Sequence, residues 1–188
     1  MKKLLMSCLI LTFASGFAAA ESYIGLFNDE AATDCYGDVT PYVWKMVHVI
    51  VYLEPEIASI TAAEFRLDNM PESGDHGIVT ENWDTMLVIG QSWWNIALAF
   101  QVPVPGPLAH LGVLQFFATD ALWMGDDYVI AVRPGYAKDV LAVVDSHFIQ
   151  IPVMGGQYTA NCSDAMACEC LEIVPVEAMN WSSVKALY

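Results

Sequence analysis

The sequence predicts an all-β fold, an antiparallel β-sandwich of jelly-roll or Ig-like type with about seven to nine short strands. Three observations predict it. From Val43 onward the chain breaks into short runs rich in Val, Ile, Phe, Tyr and Trp, separated by Gly, Pro, Asp and Asn. Where polar residues enter a run they alternate with apolar ones, the period of a strand with one face on a core and one in water. No stretch of any length holds a 3.6-residue period except the last segment, 176–188.

The elements follow in order. Trp44 to Leu53 is the first run and stops at Glu54-Pro55-Glu56. Ser59 to Leu67 sets Ala63, Phe65 and Leu67 against Glu64 and Arg66, and Asp68 to Asp75 reads as a loop with Pro71, Gly74 and several acids. Trp94, Ile96, Leu98 and Phe100 make one face of the next strand and Asn95, Ala97 and Ala99 the other. Pro103-Val104-Pro105-Gly106-Pro107 is expected to end it, because proline has no N–H to donate to a ladder. Leu108 to Ala118, apolar on both faces, fits a central strand; Tyr128 to Val132 closes on Pro134-Gly135. Val140 to Val153 supplies one or two more strands, and Gly155-Gly156 reads as a hairpin turn into Gln157 to Asn161. At the end Asn180 is placed to cap a short helix from Trp181 to Tyr188, with Trp181, Val184, Leu187 and Tyr188 on one side. So short a helix is marginal alone and must dock or fray.

Residues 1–20 carry the parts of a secretory signal peptide: Lys2 and Lys3, an apolar run from Leu4 to Phe17, and Ala18-Ala19-Ala20 before Glu21. The run is shorter than the roughly 20 apolar residues of a spanning helix and is interrupted by Ser7, Thr12 and Ser15. The mature chain is therefore expected to be secreted, periplasmic or held at the cell surface, with no membrane span after cleavage. No linker or charge block divides what remains, so 21–175 reads as a single β-sandwich domain and 176–188 as a tail. Seven basic residues face 22 acidic ones, a net charge of −15. Such a chain repels a phosphate backbone, so nucleic acid is excluded as a partner.

Four cysteines remain after the signal: Cys35, Cys162, Cys168 and Cys170. In an exported chain they read as disulfides. A Cys168–Cys170 bridge is too short to be relaxed, which leaves Cys35 joined to either Cys168 or Cys170 and Cys162 to the other. Either Cys35 bridge closes a loop of more than 130 residues. A zinc site is the competing reading of this cluster, although its spacing matches no standard zinc pattern.

The order of segments resembles that of cohesin-type domains. Val47 to Leu53 leads into Ile60-Thr61-Ala62-Ala63-Glu64-Phe65-Arg66-Leu67, then Asn95 to Phe100, then Leu111 to Phe117. Cohesin-type domains are jelly-roll sandwiches related to carbohydrate-binding modules, in which a strand of the form Gly/Ala-x-Phe-x-Leu follows the first long one. The resemblance covers Val43 to Val132. It implies binding without catalysis, either of a dockerin partner on a sheet face or of sugars on exposed aromatics, and transfers no site residue by itself. The opening, Ile24 to Ala31 through Cys35, and the closing Trp181 to Tyr188 resemble uncharacterised secreted proteins of environmental bacteria.

No Gly-x-Ser-x-Gly, no phosphate-cradling glycine loop and no His-Glu-x-x-His occurs. His48, His76, His110 and His147 are scattered and read as structural, and no catalytic residue is assigned. The expected function is a non-enzymatic binding or structural module whose partner is a protein or glycan at the cell surface. A carbohydrate-binding module is the first alternative and an extracellular glycoside hydrolase the second, the latter needing two carboxylates about 5–9 Å apart. The candidate binding residues are Trp83, Trp93, Trp94 and Trp123. If Trp93 and Trp94 share one strand they point to opposite faces, so one leaves the core side. No cofactor is expected beyond calcium, whose candidate ligands are Asp29, Glu30 and Asp34 in one group and Asp120, Asp126 and Asp127 in another.

Overall fold

Strands account for all the regular structure in the computed structural model, which describes residues 21–121 and 123–171; no helix occurs among them. The signal-peptide reading of 1–20 and the helix read over 181–188 fall outside the described residues. The strands are β1 (Tyr23–Phe27), β2 (Tyr36–Gly37), β3 (Trp44–Tyr52), β4 (Ser59–Asp68), β5 (Gly77–Trp83), β6 (Leu87–Gln91) and β7 (Asn95–Pro105). They continue with β8 (Leu108–Ala118), β9 (Tyr128–Arg133), β10 (Ala142–Asp145), β11 (Gln150–Pro152), β12 (Met154–Gly155) and β13 (Gln157–Ala160).

They form two sheets. The first runs β12-β1-β3-β8-β5, and the second runs β11-β10-β4-β9-β13-β2, with β7 also paired to β4 and β6 to β7. All pairings are antiparallel except β1 with β12 and β13 with β2. Alternation supplies the core: Val47, Val49 and Val51 from β3, Leu114 and Phe116 from β8, Ala63, Phe65 and Leu67 from β4, and Ile96 and Leu98 from β7 are all buried. Each large aliphatic or aromatic side chain so buried contributes about 1.5–3 kcal/mol. Tyr158 lies in the same core with its hydroxyl donating to Asn28 Oδ1 at 2.8 Å, and burial raises its phenol pKa well above the ordinary value.

The sandwich and its main strands match the sequence reading, and four details correct it. The described residues form thirteen strand segments, several of only two to four residues. The extra ones include β1, β5 and β6, which lack a clean apolar–polar alternation. The strand expected to stop at Pro103 continues to Pro105, because β6 ends opposite Ala99. Beyond that point one edge of β7 has no ladder for a proline to break. Gly155-Gly156 is not a hairpin turn: β12 pairs with β1 and β13 with β9, so the two glycines carry the chain from one sheet to the other. A Cβ at Gly155 would lie 2.0 Å from the Val132 carbonyl oxygen. Trp94 is in the turn before β7 rather than in the strand.

Of the two disulfide pairings left open, the structure has Cys35–Cys170 and Cys162–Cys168. All four sulfurs are thereby bridged, which removes the thiolates a zinc site needs and overturns that reading. Cys35 is fully buried with Phe27 and Ile50, and Tyr23, Tyr36, Leu108 and Cys170 pack against that cluster. The bridge thus covers the outer face of the first sheet on its β1 side. Among the described residues no helix is long and apolar enough to cross a membrane.

Candidate binding surface

The β6–β7 hairpin turns through 92–94, and next to the turn Gly90 in β6 has a φ of +92°, where a Cβ would sit 2.0 Å from the Asn95 carbonyl oxygen. Only glycine fits such a position. The tip is anchored at the buried Ser92, whose carbonyl accepts the Leu67 N–H at 2.7 Å and whose hydroxyl donates to Glu81. Register then sets the outer face of this sheet. Leu87 lies opposite Ala99, Ala99 opposite Ala62 and Ala62 opposite Val144; beside that row, Ile89 lies opposite Ala97 and Ala97 opposite Glu64. Leu98, Ala63 and Val143 point the other way, into the core.

The middle of the face is flat because Ala62, Ala97 and Ala99 offer only methyl groups. Its β6 border is apolar and open, with Leu87 53% and Ile89 64% exposed. No residue from Thr85 to Asn95 is charged. Among the described residues β6 pairs with β7 alone, so its far edge has no ladder partner among them. Proteins ordinarily blunt such an edge with charge, proline or a bulge. The Leu87–Gln91 strand carries neither charge nor proline, and all five of its residues are exposed.

A polar and aromatic rim closes the Asn95 end. Glu64 pairs with Lys138 at 3.3 Å and accepts from Asn95 Nδ2 at 2.9 Å. The Arg66 guanidinium lies over the Tyr136 ring at 4.1 Å while its Nε donates to the Pro134 carbonyl at 2.8 Å. Tyr136 in turn meets Trp94 at 4.7 Å, and Trp94 meets Trp93 edge-on at 6.2 Å.

The four candidate tryptophans therefore divide. Trp93 and Trp94 are 57% and 53% exposed; both sit in the turn, so the opposite-faces argument does not govern them. Trp83 packs on Phe65 at 5.7 Å, and Trp123 packs on Phe116 while its Nε1 donates to the Glu72 carbonyl at 3.0 Å. Those two serve the core.

Of the acidic candidates, Asp29, Asp34, Asp120 and Asp127 are engaged locally, while Glu30 and Asp126 are exposed. Asp29 accepts from the Thr33 hydroxyl, the main cause that lowers its pKa, and the same hydroxyl approaches Asp34 at 3.4 Å. Asp127 accepts from the Ser163 backbone and hydroxyl, both at 2.8 Å, which lowers its pKa. Asp120 bonds His76 and raises the imidazole's pKa. Asp127 also lies near the Cys162 and Cys168 sulfurs, which are bridged to each other.

One constellation escaped the sequence reading. His48 Nδ1 and His110 Nε2 are 2.9 Å apart, and His110 Nδ1 lies 2.5 Å from Asp84 Oδ2. A carboxylate, an imidazole and a second imidazole thus stand in line: the β3–β8 pairing brings His48 to His110 from 62 residues away, and Asp84 follows β5, the other neighbour of β8. Burial, then the neighbouring His110, lowers the His48 pKa. The line can hold and share a proton. Neither imidazole is hydrogen-bonded to a hydroxyl or thiol among the described residues.

No protein-family model and no curated protein sequence matches this chain. Solved structures of cohesin modules are similar to it. One is a cohesin module of a Clostridium perfringens family 33 glycoside hydrolase, 10% identical, covering 76% of this chain and 96% of that one with a TM-score of 0.47. Another is a cohesin in complex with a dockerin from Acetivibrio cellulolyticus, 11% identical, covering 74% and 98% with a TM-score of 0.44. A third is a non-cellulosomal cohesin from the archaeon Archaeoglobus fulgidus, 12% identical, covering 75% and 91% with a TM-score of 0.40. The sandwich itself rests on the strand pairing described above.

Proposed function

We propose that this protein is an exported, non-catalytic binding module that holds a protein partner on the outer face of β6, β7, β4 and β10. The observation that carries the reading is the flat Ala62, Ala97 and Ala99 surface continuous with the exposed, uncharged β6 edge. Such a face offers apolar area to a rigid complementary surface, and the edge offers backbone groups to an added strand. The rim of Glu64, Lys138, Asn95 and Arg66 supplies directional bonds around it. With a net charge of −15 the chain steers basic partners toward itself. The signal-like 1–20 and the two disulfides support export.

A photo-crosslinking residue at position 97 in the oxidised protein, incubated with the extracellular proteins of the producing cells, tests this. A discrete adduct that disappears when Ile89→Arg is added is the expected result. Trp93, Trp94 and Tyr136 support a second reading in which a sugar ring stacks at the rim. Retention on a polysaccharide that Trp94→Ala abolishes, with no adduct from position 97, would replace the first reading with that one.

A further inference from the structure

We propose that His48 and His110 form a binding site for a divalent transition-metal cation of the Zn²⁺ type on the outer face of the first sheet, with Asp84 as the group that orients His110. The site belongs to the sheet opposite the proposed partner face and does not rest on that reading. Three strands deliver the three side chains to one place. On β3, His48 is flanked by Phe27 of β1 and Val113 of β8. The outward residues of β8 alternate through Phe117, Gln115 and Val113, and that period continued would turn residue 110 into the core. The ladder prevents it. Val49 lies opposite Gly112 and Ile50 opposite His110, so Leu111 is an extra residue on β8 with no counterpart on β3. Leu111 is buried and His110 comes out beside His48. The Leu111 carbonyl accepts the Asp84 N–H at 2.9 Å, which fixes the chain just past β5 and sets the Asp84 carboxylate against the far nitrogen of His110.

The donor set follows from which atom holds which proton. His110 Nδ1 faces a carboxylate oxygen at 2.5 Å, and an ionised carboxylate only accepts, so that nitrogen carries the proton. In the neutral ring Nε2 then presents its lone pair toward His48 Nδ1, 2.9 Å away. An outer carboxylate on one ring nitrogen and a free lone pair on the other is how a metal-ligating imidazole is held. His48 offers the second lone pair in the tautomer whose proton sits on Nε2. Two imidazoles on a tetrahedral zinc, bonded at about 2.0–2.1 Å, have their nitrogens about 3.4 Å and their ring centres about 5.2 Å apart. Here the nitrogens are 2.9 Å and the ring centres 5.2 Å apart, so a swing of the two rings admits the cation with no shift of the strands. Asp29 and Glu30 follow β1 and Asp84 follows β5, and all three act on the charge of His48. A cation held by the pair therefore meets carboxylates on two sides, with Glu30 exposed and able to give an oxygen. Paired imidazoles favour Zn²⁺, Cu²⁺ or Ni²⁺ over Ca²⁺, which takes oxygen ligands.

His76 and His147, each beside a carboxylate, serve as internal controls. The oxidised protein, free of any histidine tag, is titrated with Zn²⁺ and followed by NMR of the imidazole rings and by isothermal titration. One zinc per chain is expected, displacing the His48 and His110 resonances together and leaving those of His76 and His147 in place, while Ca²⁺ at the same concentration displaces none of the four. His48→Gln and His110→Gln should each weaken zinc binding at least about tenfold. Asp84→Asn should weaken it about tenfold or more, and Asp84→Glu should recover most of the loss. Thermal unfolding without zinc verifies the fold of each variant. His48 and His110 resonances that stay in place under a tenfold excess of zinc overturn the proposal, and the unaltered protein alone suffices for that result. So does zinc that displaces His76 or His147 alone, or that both glutamine variants bind with unchanged affinity.

Discussion

His76 and His48 are two imidazoles with opposite settings. Asp120 beside the exposed His76 raises its pKa above 6.5, the hydrogen bond being the larger cause and the charge the next. Burial of His48 lowers its pKa below the same value, with His110 adding to the effect. The stabilities they carry run in opposite directions with pH. The His76 contribution is complete below the unfolded value and disappears as pH rises through the higher folded value. The His48 contribution is complete above 6.5 and is lost as pH falls below it, because the unfolded chain then takes up a proton that the folded site resists. A proton NMR titration is expected to place the His76 midpoint above 6.5 and the His48 midpoint below it. Asp120→Asn should bring the His76 midpoint down toward 6.5 while leaving that of His48 in place; coincident midpoints would contradict both environments.

For the elements, the β6–β7 hairpin is the one on which the binding proposal depends. Gly90→Ala drives a methyl group against the Asn95 carbonyl in a backbone region that favours glycine. It is expected to lower thermal stability by several degrees and to loosen the protection of the Leu87 to Asn95 amides in hydrogen exchange. Ile89→Arg, at an exposed outward position, is expected to stay within about 0.5 kcal/mol of the parent in denaturant unfolding. The elements also show what a sequence reveals. Ala63, Phe65 and Leu67 are legible as a core face because Glu64 and Arg66 alternate with them. β6 is not, because all five of its residues are exposed and nothing alternates. The Ala62, Ala97 and Ala99 surface is created by register between β4 and β7, and register is a property of the pair rather than of either strand. The Asp84, His110 and His48 line was hidden for the same reason, and the β3–β8 ladder that builds it carries an irregularity between Val49 and Ile50. The exposed Trp93 and Trp94 were legible as candidates, but a tight turn, not strand alternation, exposes them.

Across the whole molecule, one crosslink and one charge imbalance dominate. The Cys35–Cys170 bridge joins residues 135 apart, tying the start of the described chain to its end. Restricting the unfolded chain to that extent contributes about 4–5 kcal/mol. A Cys35→Ala/Cys170→Ala variant is expected to lose stability of that order in denaturant unfolding, and a loss below about 1 kcal/mol would contradict it. The net charge of −15 makes association with a basic partner faster at low salt, with the gain suppressed as the screening length shrinks. The proposed partner face of β6, β7, β4 and β10 is set apart from the outer face of the first sheet, which belongs to the other layer of the sandwich. Isothermal titration of the crosslinked partner, once purified, into the unaltered protein and its Ile89→Arg and Met46→Asp variants tests that division most directly. The account predicts affinity reduced at least about tenfold by Ile89→Arg, a change of about 1.4 kcal/mol, and unchanged by Met46→Asp. Affinity lost with Met46→Asp and kept with Ile89→Arg would place the binding surface on the wrong sheet and contradict it.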